Sequence, residues 1–193
     1  MDKRYQHLTS AKAFELANDI QEIFWEKILP IRLKLFISSV LQTDDSEKFD
    51  FMVRLQAKYP FLSKHIFVFD MPPGISTPIH LDNGPPERER INGKRLLSIN
   101  IPISGCDELC PTEFFEVDPK HLVFLRDANI TGVVPGAPIK LVDQYVLKDC
   151  PILVNTQTPH RVNNKDNNKN RTSVSWTIKD TWSWDEVINC LEP

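Results

Sequence analysis

Apolar and polar positions change rhythm once along this chain. Over residues 10–29, Leu16, Ile20, Ile23 and Phe24 recur at helical spacing, so one face of the segment is apolar and the other polar. Ser10 is placed to cap that helix, and Pro30 ends or kinks it. Residues 31–42 read as a second helix. Residues 46–58, with Phe49, Met52, Val53 and Leu55, read as a third, closed by Tyr59-Pro60. From about residue 65 the texture becomes that of strands, with runs at 65–70, 76–81, 95–103, 113–117, 121–126, 139–147, 151–158 and 171–179. Turn formers separate them, among them Pro72-Pro73-Gly74, Asn83-Gly84-Pro85-Pro86 and the polar run 163–170, which reads as a hairpin loop. Short strands at this spacing predict a sandwich or small barrel, with the helical N-terminal third as a buttress on one outer face. The fold class is mainly β with N-terminal helices, and the whole chain reads as one domain.

Alternation within the strands sorts side chains by face, because successive residues point to opposite sides. In 95–103, Leu97, Ile99, Ile101 and Ile103 oppose Ser98 and Asn100. In 171–179, Val174, Trp176 and Ile178 oppose Arg171, Ser173, Ser175 and Thr177. A solvent-facing sheet surface produces the same pattern. The histidines favour an interior polar face instead. His80 and Asp82 are two apart, so an extended backbone aims both to one side. His160 ends the run that begins near Ile152 and shares its face with Thr156 and Thr158.

Composition narrows the function classes. The 193 residues suit one domain with a sizeable core, and 41% hydrophobic content argues against disorder. A net charge of −3, from 23 basic and 26 acidic side chains, speaks against general attraction to nucleic acid. No run approaches 18 consecutive apolar residues, and the N-terminus lacks an apolar signal core, so the expectation is a cytoplasmic protein that does not span a membrane. The cysteines at 106, 110, 150 and 190 are then expected to be thiols, and no second pair completes a zinc site around Cys106 and Cys110. Oligomeric state is not legible.

Fe(II) in an oxygenase takes about three protein ligands on one face, leaving the other positions to cosubstrate and O2. Two imidazoles and one carboxylate meet that need, and His80, Asp82 and His160 offer them. A chance His-x-Asp in this composition is expected about 0.4 times, so the pair alone carries little weight. His65 and His121 read as structural. Eleven residues after His160 comes Arg171, with Ser173 on the same strand face. A dicarboxylate chelating iron at one end leaves its second carboxylate deeper in the pocket, where an arginine fork can hold it and a serine can assist.

The segments His80-Leu-Asp82, Pro159-His160-Arg-Val-Asn and Arg171-Thr-Ser173 together resemble the 2-oxoglutarate/Fe(II)-dependent oxygenases, over roughly residues 65–180. The resemblance implies a double-stranded β-helix, a jelly-roll or cupin-like barrel, spanning 63–180. Residues 1–62 would be its helical buttress and 181–193 a C-terminal segment. It implies His80, Asp82 and His160 as iron ligands, Arg171 and Ser173 as the binders of 2-oxoglutarate, and Asn100 as a further contact to that cosubstrate. The implied chemistry is oxidative decarboxylation to succinate and CO2, with hydroxylation of a C–H bond in a small molecule or an amino-acid residue. Asp82 speaks against the halogenases of the superfamily, which lack the carboxylate. Thr177 stands where AlkB-like nucleic-acid demethylases carry a second arginine. Many prolyl hydroxylases have lysine where this chain has Arg171.

Other readings compete. A cupin-like metal- or ligand-binding protein without turnover, or another metalloenzyme on the same scaffold, would use the histidines and Asp82 but leave Arg171 and Ser173 unexplained. A metal-free interaction module would make the whole constellation coincidence. Arg88, Arg90, Lys94 and Arg95 follow Asp82 in a segment that could cover the site, though Glu87 and Glu89 interleave as in a solvated loop. Trp176, Trp182 and Trp184 read as core rather than pocket.

Overall fold

Helix α1 (Ala11–Ile23) starts where the chain supplies a cap: the Ser10 hydroxyl accepts the Ala13 N–H. It buries Ala13, Leu16, Ala17 and Ile20, and a π-helical turn, Phe24–Ile28, extends it. Helix α2 (Asp50–Lys58) buries Phe51, Met52 and Leu55. Helix α3 (Trp184–Leu191) opens with a capping box between Ser183 and Glu186 and buries Val187 and Leu191. In this computed structural model, residues 3–28, 38–42, 50–82, 96–125 and 130–193 are described. Among them no helix is long and apolar enough to cross a membrane.

The three helices cover one face of a six-stranded sheet of order β1-β11-β6-β13-β3-β2. Its strands are β1 (Tyr5–His7), β2 (Ser38–Gln42), β3 (Leu62–Met71), β6 (Leu97–Ser104), β11 (Ile152–Asn155) and β13 (Arg171–Ile178). Ile66, Val68, Ile99, Ile101, Val174 and Trp176 point from this sheet into the helical layer. A second sheet has the order β10-β7-β12-β5-β9-β8, with β4 (Ile75–Ser76) paired to β12 off that path. It comprises β5 (His80–Leu81), β7 (Thr112–Val117), β8 (Leu122–Leu125), β9 (Ile130–Val133), β10 (Ile139–Tyr145) and β12 (His160–Asn164). Pairing is antiparallel throughout the described strands. A smaller apolar cluster, Phe114, Tyr145, Leu147, Ile152 and Val154, fills one end of the space between the sheets. The architecture is a jelly-roll double-stranded β-helix with helices on one side. The sheets face each other without closing into a barrel.

Several local expectations change. Residues 38–42 form a strand, not the end of a second helix, and residues 31–37 lie outside the described part. Ser38-Ser39-Val40 has little helix preference, and pairing with the edge of β3 decides the outcome. The run 151–158 stops at Asn155. The Asn155 side chain accepts the Gln157 N–H in a tight turn, and Pro159 has no N–H for a ladder. His160 therefore opens β12 in the other sheet rather than ending β11. Residues 163–170 are not a hairpin loop: Asn163 and Asn164 belong to β12, and the rest crosses from one sheet to the other. Run 76–81 splits at Thr77-Pro78 into β4 and β5. Strand β9 escapes the sequence pattern because Gly132 interrupts it.

One glycine has a strict steric reason. Gly105 follows β6 with φ +61°, and a Cβ there would sit 1.9 Å from the carbonyl oxygen of Asn170. This close approach packs the turn after β6 against the residue preceding Arg171.

Candidate metal centre and cosubstrate pocket

Strands β5 and β12 place His80 directly opposite His160. Asp82 follows two residues after His80, and its N–H donates to the Thr156 carbonyl at 3.3 Å, holding the end of β5 against the turn that precedes β12. Asp82 Oδ1 lies 3.4 Å from His80 Nε2 and 3.9 Å from His160 Nε2. One donor atom from each residue lies within 4.8 Å of the others. The two rings are 4.7 Å apart, centre to centre.

Both imidazoles are oriented in the same way. His80 Nδ1 is 2.8 Å from the Pro78 carbonyl and His160 Nδ1 is 2.8 Å from the Thr158 carbonyl. A carbonyl oxygen can only accept, so each Nδ1 carries a proton, which leaves Nε2, on the side of Asp82, as the nitrogen a metal would take. That backbone lock is the usual second contact of a metal-binding histidine. Two neutral imidazoles and one carboxylate on one side of a cavity form a donor set suited to ferrous iron.

The cavity behind these donors is lined by the polar face of the first sheet, including Ser98, Asn100, Arg171, Ser173 and Ser175. These residues face inward and not toward solvent, which settles the ambiguity of the alternating pattern. Arg171 is 2% exposed. One guanidinium nitrogen donates to Ser173 Oγ at 3.1 Å, while its Nε has no partner. Among the described residues no carboxylate lies within ion-pair distance of it. A buried cation in this state is costly unless something else supplies the negative charge.

Asn100 lines the cavity as expected, but its amide donates to the Tyr145 hydroxyl at 2.9 Å. Tyr145, at the end of β10, is a pocket residue that the sequence did not reveal. It closes an irregular run, and nothing in 139–147 says which face turns inward. Burial pushes its phenol well up, more than the Thr112 hydroxyl, Arg171 and Asn100 pull it down, so it remains a neutral hydroxyl.

Other candidates fall outside the cavity. Trp176 is core, as expected, whereas Trp182 and Trp184 are half-buried beside an open surface groove. All four cysteines are free thiols. Burial raises the Cys106 thiol despite nearby Arg171, which leaves it poorly suited to nucleophilic work. The charged segment 83–95 lies outside the described residues.

No protein-family model matches the chain, and no curated protein matches its sequence. Similarity appears in the fold. The epimerase SnoN, solved with Fe3+, α-ketoglutarate and nogalamycin RO, superposes with a TM-score of 0.53 and 16% identity, over 92% of this chain and 80% of its own. SnoK, a non-haem α-ketoglutarate-dependent carbocyclase from nogalamycin biosynthesis, superposes with a TM-score of 0.51 and 11% identity, over 92% and 81%. A Pseudomonas putida prolyl-4-hydroxylase is a more distant match, with a TM-score of 0.43 and 14% identity over 91% of each chain. The fold is therefore that of 2-oxoglutarate/Fe(II)-dependent oxygenases such as SnoN and SnoK.

Proposed function

We propose that the protein is an Fe(II)- and 2-oxoglutarate-dependent dioxygenase that hydroxylates a C–H bond of a small-molecule or peptide substrate, acting as a single domain. His80, Asp82 and His160 hold the metal, and Arg171 with Ser173 holds the distal carboxylate of 2-oxoglutarate. The observation that carries this reading is Arg171: a buried guanidinium without a carboxylate partner among the described residues, in the same cavity as a two-histidine, one-carboxylate group. A metal-binding protein with no second ligand has no use for that charge.

Bound iron would supply the O2-dependent oxidation, coupled to conversion of 2-oxoglutarate to succinate and CO2. The chain's own residues do the rest. The backbone carbonyls of Pro78 and Thr158 fix the proton on Nδ1 and aim both Nε2 atoms at the metal position. Arg171 offers a planar fork matched to a carboxylate, and Ser173 fixes the fork's orientation. Asn100 acts on the cosubstrate through Tyr145, whose hydroxyl remains able to donate. The apolar cluster around Phe114 and Val154 keeps bulk water from that end of the cavity. No side-chain nucleophile or general base is needed.

The test is anaerobic titration of the Fe(II)-loaded protein with 2-oxoglutarate. A metal-to-ligand charge-transfer band is expected to grow with occupancy. Folded, iron-loaded protein that shows no band overturns the reading. A band without succinate release, after screening for substrates, identifies instead a binding protein that has lost turnover.

A further inference from the structure

The sheet face that carries the metal donors does not stop at them. Register across four strands sets His160 opposite His80, His80 opposite Gly132, and Gly132 opposite Val123. Residues paired in this way lie on one face of a sheet. Two positions along, Leu125 is opposite Ile130, and Asp82 follows directly on the end of β5. Val123, Ile130 and Leu125 thus extend the surface bearing His80. At a strand spacing of about 4.8 Å, β8 lies about 10 Å from β5.

Gly132 is the joint between the two parts. It places no side chain of its own between His80 and Val123. A Cβ there would meet Leu125 Cδ1 at 2.9 Å, so the Leu125 side chain leans over Gly132 toward the histidine. Val123 and Leu125 are each 41% exposed. Single exposed aliphatic residues need no explanation. These are neighbours on one strand and share the face that carries His80, itself a residue of the cavity that holds Arg171.

We infer that Val123, Leu125 and Ile130 form the substrate subsite, and that it takes an uncharged, apolar portion of the substrate. The three side chains carry no charge or hydrogen-bonding group, so a polar or ionic group laid on them would lose hydration without compensation. Three side chains, two of them 41% exposed, cannot supply the roughly 800 Å² per partner that a stable protein interface buries, which favours a small apolar group over a protein partner. Val123, in the row of His80, and Leu125, which leans over Gly132, together set which substrate carbon approaches His80 and Asp82. The chemistry at that carbon rests on the function proposed above. The binding does not.

The test uses the metal-free full-length chain and a neutral fluorescent ligand, N-phenyl-1-naphthylamine. Its binding is expected to be competed by 1-octanol and not by hexylammonium. The double substitution Val123→Asp and Leu125→Asp should weaken it at least tenfold, and the milder Leu125→Ser severalfold, with unchanged circular dichroism. Because both residues are well exposed, neither change should prevent folding. Equal dye affinity in wild type and both variants overturns the inference. So does a wild-type dimer that becomes monomeric in the double variant, since a second copy would then be the occupant. Loss of dye binding in the variants, from a wild type that shows no charge-transfer band with Fe(II) and 2-oxoglutarate, refutes the proposed function and leaves the apolar subsite standing.

Discussion

Replacing Arg171 with methionine separates a structural arginine from one kept for a ligand. The guanidinium is buried, makes one hydrogen bond within the described structure, to Ser173, and leaves Nε unpaired. In an ordinary buried ion pair, removing one partner costs several kcal/mol because the other charge is stranded. Here no carboxylate partner is stranded among the described residues. Methionine keeps much of the volume and removes a desolvated charge, so the ligand-free protein should be equally stable or more stable. 2-Oxoglutarate should behave in the opposite sense. Two charge-assisted hydrogen bonds lost to one carboxylate cost about 3 kcal/mol, or roughly a hundredfold in Kd. Anaerobic titration through the charge-transfer band reads the affinity, and urea denaturation of the metal-free protein reads the stability. Arg171→Lys retains the charge but not the fork and should fall between. Loss of several kcal/mol of stability with unchanged 2-oxoglutarate affinity would refute the reasoning and make Arg171 a structural residue. Iron loss in Arg171→Met would show the side chain to be misassigned.

Asp82→Ala should remove tight iron binding measured by equilibrium dialysis, with native circular dichroism as the control for folding. Iron retained at wild-type affinity would remove Asp82 from the donor set. Gly105→Ala combines a left-handed backbone with a Cβ 1.9 Å from the Asn170 carbonyl oxygen, and should cost about 2–4 kcal/mol in urea unfolding. Because the displaced carbonyl precedes Arg171, 2-oxoglutarate affinity should fall with it, and a loss below about 0.5 kcal/mol would contradict the packing described. The three tyrosines of the chain, Tyr5, Tyr59 and Tyr145, are all raised above their ordinary 10.0, chiefly by burial. The unfolded chain then releases tyrosine protons first, so this contribution to stability is complete below about pH 10 and declines as pH rises above it. Tyrosinate absorbance should stay low at pH 10 and rise with loss of native circular dichroism; a full signal in folded protein would be inconsistent with that burial.

Alternation made much of the core legible. The pattern puts Ile99, Ile101, Val174 and Trp176 on apolar faces, and they pack beneath the helices. The period of a strand reports which side chains travel together, and for β6 and β13 that sufficed. Where the pattern failed, a tertiary contact outweighed local preference. Residues 38–42 become a strand because the edge of β3 is available, and β9 forms around a glycine because β5 and β8 flank it.

For the site, the chain by itself determined the chemical inventory: a His-x-Asp pair, a later histidine, and an arginine with a serine two residues on. Spacing limited which of these could share a face. It could not say that the polar faces of β6 and β13 turn inward, because solvent and a lined cavity impose the same alternation. Only the tertiary structure decided that, by laying the second sheet over them and burying Arg171 with no carboxylate in reach among the described residues. It also moved His160 from the end of β11 to the start of β12, opposite His80, and brought Tyr145 to Asn100 from 45 residues away. These are long-range facts. The donors converge because two sheets fold over one another, and no local propensity encodes which strands will meet.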